Sequence, residues 1–335
     1  MKTGILLVNL GTPDSAGTGD VKKYLREFLN DPRVIDVPAW KRWPLVNFII
    51  VPFRAPRSAK LYEKIWSDKG SPLLYYSILQ KQLLQQKLGD EYVVELAMRY
   101  QSPSLKDALE IFKKPVYKNI RVIPLFPQYA SASTGSVQEM IMDIVGKWEV
   151  VPPIEFVNSF HDDTLFIDSW QEVAKKYFDQ SYDHVLFSFH GLPERQILKA
   201  DCFNHCLKDG CCDSVTDKNA FCYRAQCFNT ARLIAERFHL KSGDYTVCFQ
   251  SRLGKSPWIK PYSDHVITDL AKQGKKKLLV FSPAFVADCL ETIYEIGTEY
   301  DELFRHHGGE KVQLIHSLND HPKWIEALAN MAKAK

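Results

Sequence analysis

Apolar residues along the chain gather in short unbroken runs, separated by longer stretches with helical spacing. Runs at 4–9, 93–98, 120–125, 154–157, 185–189, 245–249, 277–281 and 312–316 predict strands. A run apolar at every position suits a parallel strand covered on both faces. Helical patterns at 21–30, 74–88, 104–112, 137–145, 164–178, 219–238, 263–273, 286–304 and 322–332 fall between them, and strand alternating with helix predicts parallel, doubly wound sheets. The first run leads into Leu10-Gly11-Thr12-Pro13 and the 185–189 run into His190-Gly191-Leu192-Pro193. This shared plan of apolar strand, x-G-x-P and helix predicts two similar doubly wound α/β domains, 1–150 and 151–335. Each is a parallel β-sheet flanked by helices, with an active cleft between them and a C-terminal helix free to pack back on the first domain.

The 335 residues are 45% hydrophobic and 25% charged, enough for two ordinary cores. A net charge of +3 gives no reason to expect a nucleic-acid partner. The N-terminal run is too short for a signal peptide, and no apolar run approaches the roughly 20 residues that span a bilayer. A cytoplasmic protein, monomer or homodimer, is expected, so its eight cysteines are metal ligands or buried thiols rather than disulfides.

Four features carry candidate chemistry. His190 ends an apolar strand at the sheet edge where open α/β folds bind ligands, and imidazole takes a proton near neutral pH; a loop carbonyl could equally hold it as a structural histidine. Six cysteines crowd into the segment 200–228: Cys202, Cys206, Cys211, Cys212, Cys222 and Cys227. That density signals metal or redox chemistry; the spacing is poor for a zinc finger and tolerable for a [2Fe–2S] centre. Asp288, Glu291, Glu295 and Glu299 are spaced three, four and four, which places four carboxylates on one face of an α-helix. A solvated acidic face is the plain alternative. Finally, the stretch 37–65 has four prolines among its apolar and aromatic residues and no clean period. It is either a covered helix or an exposed apolar lip for a flat hydrophobic ligand or a membrane surface.

Taken together, several motifs resemble the ferrochelatases. Ser188-Phe189-His190-Gly191-Leu192-Pro193 is similar to that family's S-x-H-G-x-P, Gly70-Ser71-Pro72-Leu73 to its G-S-P-L, and Met98-Arg99-Tyr100 to its M-R-Y. Residues 124–136 resemble P-L-x-P-Q-Y-S-x-x-T-G-S, whose hydroxyls and Gly ahead of a helix also read as an N-cap and anion nest. Gln250-Ser251 with Trp258 and Pro261 resembles Q-S…W-x-x-P.

The resemblance implies insertion of Fe2+ into a porphyrin, with His190 as proton acceptor and Glu291 as metal and proton handler. It implies porphyrin-binding or relay roles for Leu10, Arg54, Ser71, Arg99, Tyr129, Trp258, Phe285, Asp288, Glu295 and Glu299. Some bacterial members hold a [2Fe–2S] cluster in an insert ending like Cys222–Cys227 (CYRAQC). That implies Cys206, Cys212, Cys222 and Cys227 as ligands, with Cys211 as substitute and Cys202 spare. Cys289 stands where many members have His. The coproporphyrin branch typically has Tyr where this chain has Leu10, so protoporphyrin IX is the expected substrate, protoheme the product, and porphyrin and ferrous iron the partners. The aromatic lip at 38–53 leaves peripheral membrane contact open. Chelatases for coproporphyrin, cobalt or sirohaem, a non-catalytic iron–sulfur sensor and a porphyrin carrier are the rival readings.

Overall fold

The computed structural model describes residues 1–114, 116–254 and 256–334. They divide into two compact units. One comprises Met1–Phe126, Ser131–Asn158 and the chain from Leu328 on; the other comprises Pro127–Ala130 and Ser159–Ala327.

In the first unit, β1 (Lys2–Gly11), β2 (Tyr92–Tyr100), β3 (Tyr117–Pro124) and β4 (Ile154–Phe156) form a parallel sheet in the order β2-β1-β3-β4. In the second, β5 (His184–His190), β6 (Tyr245–Gln250), β7 (Lys277–Phe281) and β8 (Lys311–Leu314) repeat the topology as β6-β5-β7-β8. Each unit's first strand lies inside its sheet. The chain winds to one side of it and then crosses to the other. This reversal makes a switch point outside the carboxyl ends of β1 and β3, and of β5 and β7, where such sheets take their ligands. Two similar, doubly wound α/β halves are therefore what the hydrophobic pattern had implied.

The continuous apolar runs are explained by cover on both faces. Ile5, Leu6, Leu7 and Val8 are all fully buried, as are Val185, Leu186 and Phe187. Leu6, Val8, Leu109, Phe112, Val122 and Ile141 share one core; Leu186, Ile267, Val280, Ile296, Phe304 and Val312 share the other. Each such side chain contributes about 1.5–3 kcal/mol through burial. At the end of β1, Gly11 has φ +122° and pairs with Tyr100. A Cβ there would lie 2.1 Å from the Tyr100 carbonyl oxygen, so only glycine keeps β1 in the sheet to its last residue.

Two segments depart from expectation. The stretch without a clean period is helical, as Ala39–Pro44, a wider π-wound Leu45–Ile50, and Val51–Ile65. Val46, Val51, Ala55, Ala59 and Tyr62 are buried, while Trp40, Trp43, Phe48, Ile49 and Phe53 stand exposed. Apolar residues on both faces, with a change of winding between them, erase the 3.6-residue period. The 286–304 pattern is not one α-helix either: Glu291–Tyr300 is π-wound and only Asp301–His306 is α-helical.

Candidate functional site

His190 is the last residue of β5, in register with Gln250 of β6. The turn after it is held by three backbone bonds: Gly191 N–H to Gln250 O (2.8 Å), Ile259 N–H to Leu192 O (2.9 Å) and Glu194 N–H to Pro257 O (3.0 Å). These draw the 257–259 segment alongside. A Cβ on Gly191 would lie 2.8 Å from Gln250 O and 3.2 Å from Trp258 Cε3, so glycine is what lets the Trp258 ring approach the turn. The Trp258 indole N–H donates to Leu253 O at 2.8 Å. The Phe285 ring, in the loop after β7, stands 6.5 Å from the imidazole centroid.

His190 Nδ1 is 2.7 Å from Gly191 O. A carbonyl only accepts, so Nδ1 carries the hydrogen and the basic lone pair is on Nε2. The Tyr223 hydroxyl donates to His190 O at 2.8 Å, tying the strand end to the helix Tyr223–Arg237. The Gly191 carbonyl thus fixes the orientation of the imidazole at the sheet edge.

Glu291 and Glu295 lie on the π-wound segment that follows β7. Glu295 is fixed by Ser251 Oγ (2.5 Å) and Gln250 Nε2 (3.0 Å) on Oε2, and by the Tyr300 hydroxyl (3.1 Å) on Oε1. Burial pushes its carboxyl above the usual range. The Ser251 hydrogen bond and the His190 charge oppose that rise, and the Glu291 charge adds to it. His190, Glu291 and Glu295 therefore interact electrostatically. The Cys289 thiol is buried; burial, then the Glu291 charge, push it far up, so it stays protonated.

The expected row of four carboxylates is corrected to three. Asp288 precedes the helix and its side chain is buried. It accepts from His316 Nδ1 (2.8 Å), Asn319 Nδ2 (2.9 Å), Ser317 N–H (3.0 Å) and Thr292 Oγ1 (3.2 Å), and so anchors the helix entry to the chain after β8. The 3.6-residue period assumed for the stripe does not hold where the chain is π-wound. Glu299 lies on that helix and is exposed.

In the first unit, Leu10 is half-buried at the β1 end and Arg54 is exposed on the helix Val51–Ile65. Ser71 is buried ahead of the helix Pro72–Leu88 and accepts from Thr12 Oγ1 at 2.8 Å. Arg99 is engaged inside the protein: Nη2 meets Asp31 Oδ2 at 2.7 Å and Nε donates to Ser136 Oγ at 2.7 Å. The anion nest expected at 131–136 does not form. Ser131–Gly135 is a π-wound turn running straight into the helix Ser136–Val145, and Gly135 is itself helical. Its hydroxyls serve Arg33, which donates to Ser131 Oγ at 2.8 Å, and Asp31, which accepts from Ser136 Oγ at 2.5 Å. Tyr129, in the second unit, packs edge-on to Phe221 at 5.7 Å. Residues that the motifs did not single out are Tyr300 and Asp31; Gln250, Ser251 and Tyr223 lay within motifs, with no sign of the contacts they make.

In the cysteine insert, Cys206, Cys211, Cys212, Cys222 and Cys227 are buried and Cys202 is exposed. Cys222, Cys212 and Cys206 interact electrostatically. Chiefly through Cys212, and against burial, the Cys222 thiol is drawn down to about 6. Burial, then the Cys222 charge, push Cys206 up to about 12. Cys211 Sγ is 3.6 Å from Cys212 Sγ, and Arg224 Nη1 is 3.0 Å from Cys212 Sγ. Among the described residues no group of three or more His, Cys, Asp or Glu side chains is arranged to hold a metal ion. Two buried thiols, Cys211 and Cys212, are thus in contact, with the Arg224 guanidinium beside Cys212. No helix among the described residues is long and apolar enough to cross a membrane.

A family model described as ferrochelatase matches residues 2–335. A ferrochelatase of Legionella pneumophila (strain Lens) is 46% identical over 331 residues, covering 99% of this chain and 98% of that protein. One of Coxiella burnetii (strain Dugway 5J108-111) is 44% identical over 334 residues, covering 99% and 93%. Among solved structures, SirB from Bacillus subtilis with Fe3+ aligns with a TM-score of 0.53 at 15% identity, over 99% of this chain and 95% of that one. That likeness is one of fold.

Proposed function

The chain belongs to the ferrochelatase family and is an enzyme that inserts Fe2+ into porphyrin for haem synthesis; we propose that it acts on protoporphyrin IX, with His190 accepting pyrrole protons and Glu291 handling metal and protons. The observation that carries this reading is the His190 tautomer. Nδ1 is held by Gly191 O, so Nε2 is the basic nitrogen, among Trp258, Phe285, Glu291 and Glu295. Chelation replaces two N–H protons with one divalent ion, so the ring passes through a state richer in negative charge. A base must take the protons, and carboxylates must accept iron as it sheds water. Glu291 and Glu295 supply the second need and, with Glu299, a route for protons outward. Trp258 and Phe285 offer aromatic surface to the macrocycle. Tyr129 would contribute a further ring.

The choice of protoporphyrin rests on Leu10, an apolar side chain where the coproporphyrin branch typically has Tyr. Cys206, Cys212, Cys222 and Cys227 would hold a [2Fe–2S] cluster, with Cys211 as substitute for Cys212. Such a cluster would supply one-electron redox chemistry and a cross-link of the insert. The exposed Trp40, Trp43, Phe48, Ile49 and Phe53 would rest on a lipid surface. Co-sedimentation with anionic vesicles, lost in Trp40→Ser/Phe53→Ser, is the result expected.

The deciding experiment is anaerobic haem formation from Fe2+ and protoporphyrin IX by wild type, His190→Ala and Glu291→Gln. Removal of a positioned base costs about 10²–10⁴-fold in turnover, and that loss is expected in both variants. Undiminished turnover in His190→Ala would reject its role. No haem from folded wild type would reject the substrate pair and bring coproporphyrin and cobalt forward.

A further inference from the structure

The winding of the acidic helix decides which residues stand beside Glu295. In an α-helix, residues five apart point about 140° away from one another. Where hydrogen bonds close from i to i+5 they return to nearly one stripe. Glu291–Tyr300 is wound in the second way, so Tyr300 comes round to Glu295 and its hydroxyl donates to Oε1 at 3.1 Å. The other carboxylate oxygen is met from β6. Ser251, with φ +63°, turns the chain at the strand end and aims its hydroxyl at Oε2 at 2.5 Å. Gln250 Nε2 bridges Oε2 (3.0 Å) and the Glu291 carbonyl (3.1 Å). Its own orientation is set by Ser188 Oγ, which donates to Oε1 of Gln250 at 2.8 Å. The Tyr300 ring packs into the core with Leu186, Ile267 and Phe304, so it acts on substrate only through another residue. A left-handed conformation at a non-glycine residue costs free energy and persists where the surroundings enforce it. Here it completes a clamp.

We propose that Tyr300, with Ser251, is a positioning residue for metal insertion, clamping both oxygens of the Glu295 carboxylate beside the Gln250 amide that also meets the Glu291 carbonyl. This rests on the roles given above to His190 and Glu291. The clamp fixes both carboxylate oxygens, so that Glu295 stays in place while protons and iron pass.

The test is a double-mutant cycle read as separate kcat and KM values. Tyr300→Phe keeps the ring and removes the donor; kcat is expected to fall about ten- to 150-fold, the loss typical of one hydrogen bond to a charged group, with KM for porphyrin unchanged. In a Glu295→Gln background the same change should cost nothing more. Wild-type kcat in Tyr300→Phe, or an equal further loss in the Gln background, would overturn the proposal. If Tyr300→Phe does not fold, Ser251→Ala and Ser251→Ala/Glu295→Gln decide by the same criteria. A crystal structure of Tyr300→Phe, or of Ser251→Ala in its place, separates this outcome from failure of the chelatase reading. A Glu295 carboxylate displaced from its present position supports the clamp, and an unmoved one rejects it, whether or not the wild type makes haem.

Discussion

Asp288 Oδ2 accepts a hydrogen bond from His316 Nδ1 at 2.8 Å, with the carboxylate buried and the imidazole side chain 58% exposed. Burial opposes ionisation of Asp288, yet the hydrogen bonds from His316 and Asn319 and the His316 charge outweigh it and hold the carboxyl below its ordinary range. The same hydrogen bond raises His316, against burial and the Lys176 charge. Stability from Asp288 is present above its unfolded pKa and lost as pH falls through the lowered folded value. Stability from His316 is present below its unfolded pKa and lost as pH rises through the raised one. Both contribute fully between about pH 4 and 6.5. His316→Ala should therefore cost about 0.5–1 kcal/mol in urea unfolding at pH 5.5, discounted for exposure, and less at pH 9. Equal costs at both pH values would show that the charge plays no part.

Gly191 is where backbone approach and chemistry meet. A methyl group there meets Gln250 O at 2.8 Å, and that oxygen cannot retreat without losing its bond from Gly191 N–H. The strain passes to Gly191 O, which holds the His190 ring. Gly191→Ala should cost about 1–3 kcal/mol and lower kcat beyond what lost folded protein explains. Thermal melting and turnover on the same preparation check both. Unchanged values would mean that the turn can open freely.

The insert makes a prediction that does not need turnover. After anaerobic reconstitution with ferric iron and sulfide, wild type should carry about two irons and two sulfides per chain. Cys222 is buried and interacts electrostatically with Cys206 and Cys212, so Cys222→Ser should abolish loading, whereas Cys202→Ser, at an exposed position, should not. Cys211→Ser and Cys212→Ser separate the two adjacent candidates. Full loading in Cys222→Ser would remove it from the ligand set.

The strands and their order of use were legible because burial on both faces leaves continuous apolar runs, as at Ile5–Val8 and Val185–Phe187. His190 was legible because a strand end and an x-G-x-P turn mark a sheet edge. The carboxylate row was only partly legible. Its spacing was read at 3.6 residues per turn, while Glu291–Tyr300 is wound more widely and Asp288 lies outside it. Tyr300, five residues from Glu295, falls off the stripe in that reading. Ser251 and Asp31 act through contacts between segments far apart in sequence, which no local period encodes. Arg99 carried a motif, but the motif does not reveal that Asp31 would claim its guanidinium.

That last pairing yields the final prediction. Asp31 Oδ2 accepts from Arg99 Nη2 (2.7 Å), the Tyr100 hydroxyl (2.8 Å) and Ser136 Oγ (2.5 Å), and the two charged side chains are 2% and 10% exposed. A buried pair gains little over an apolar replacement, but breaking it strands a charge. Asp31→Asn should therefore cost about 3–5 kcal/mol. Asp31→Asn/Arg99→Met should recover part of that loss, because no guanidinium is then left without its carboxylate. With its guanidinium engaged by Asp31 and Ser136, Arg99→Met should lower stability while leaving KM for porphyrin unchanged. Urea unfolding of the two single variants and the double variant measures the first expectation, and porphyrin saturation curves the second. A raised KM with wild-type stability would instead give Arg99 a direct hold on the substrate.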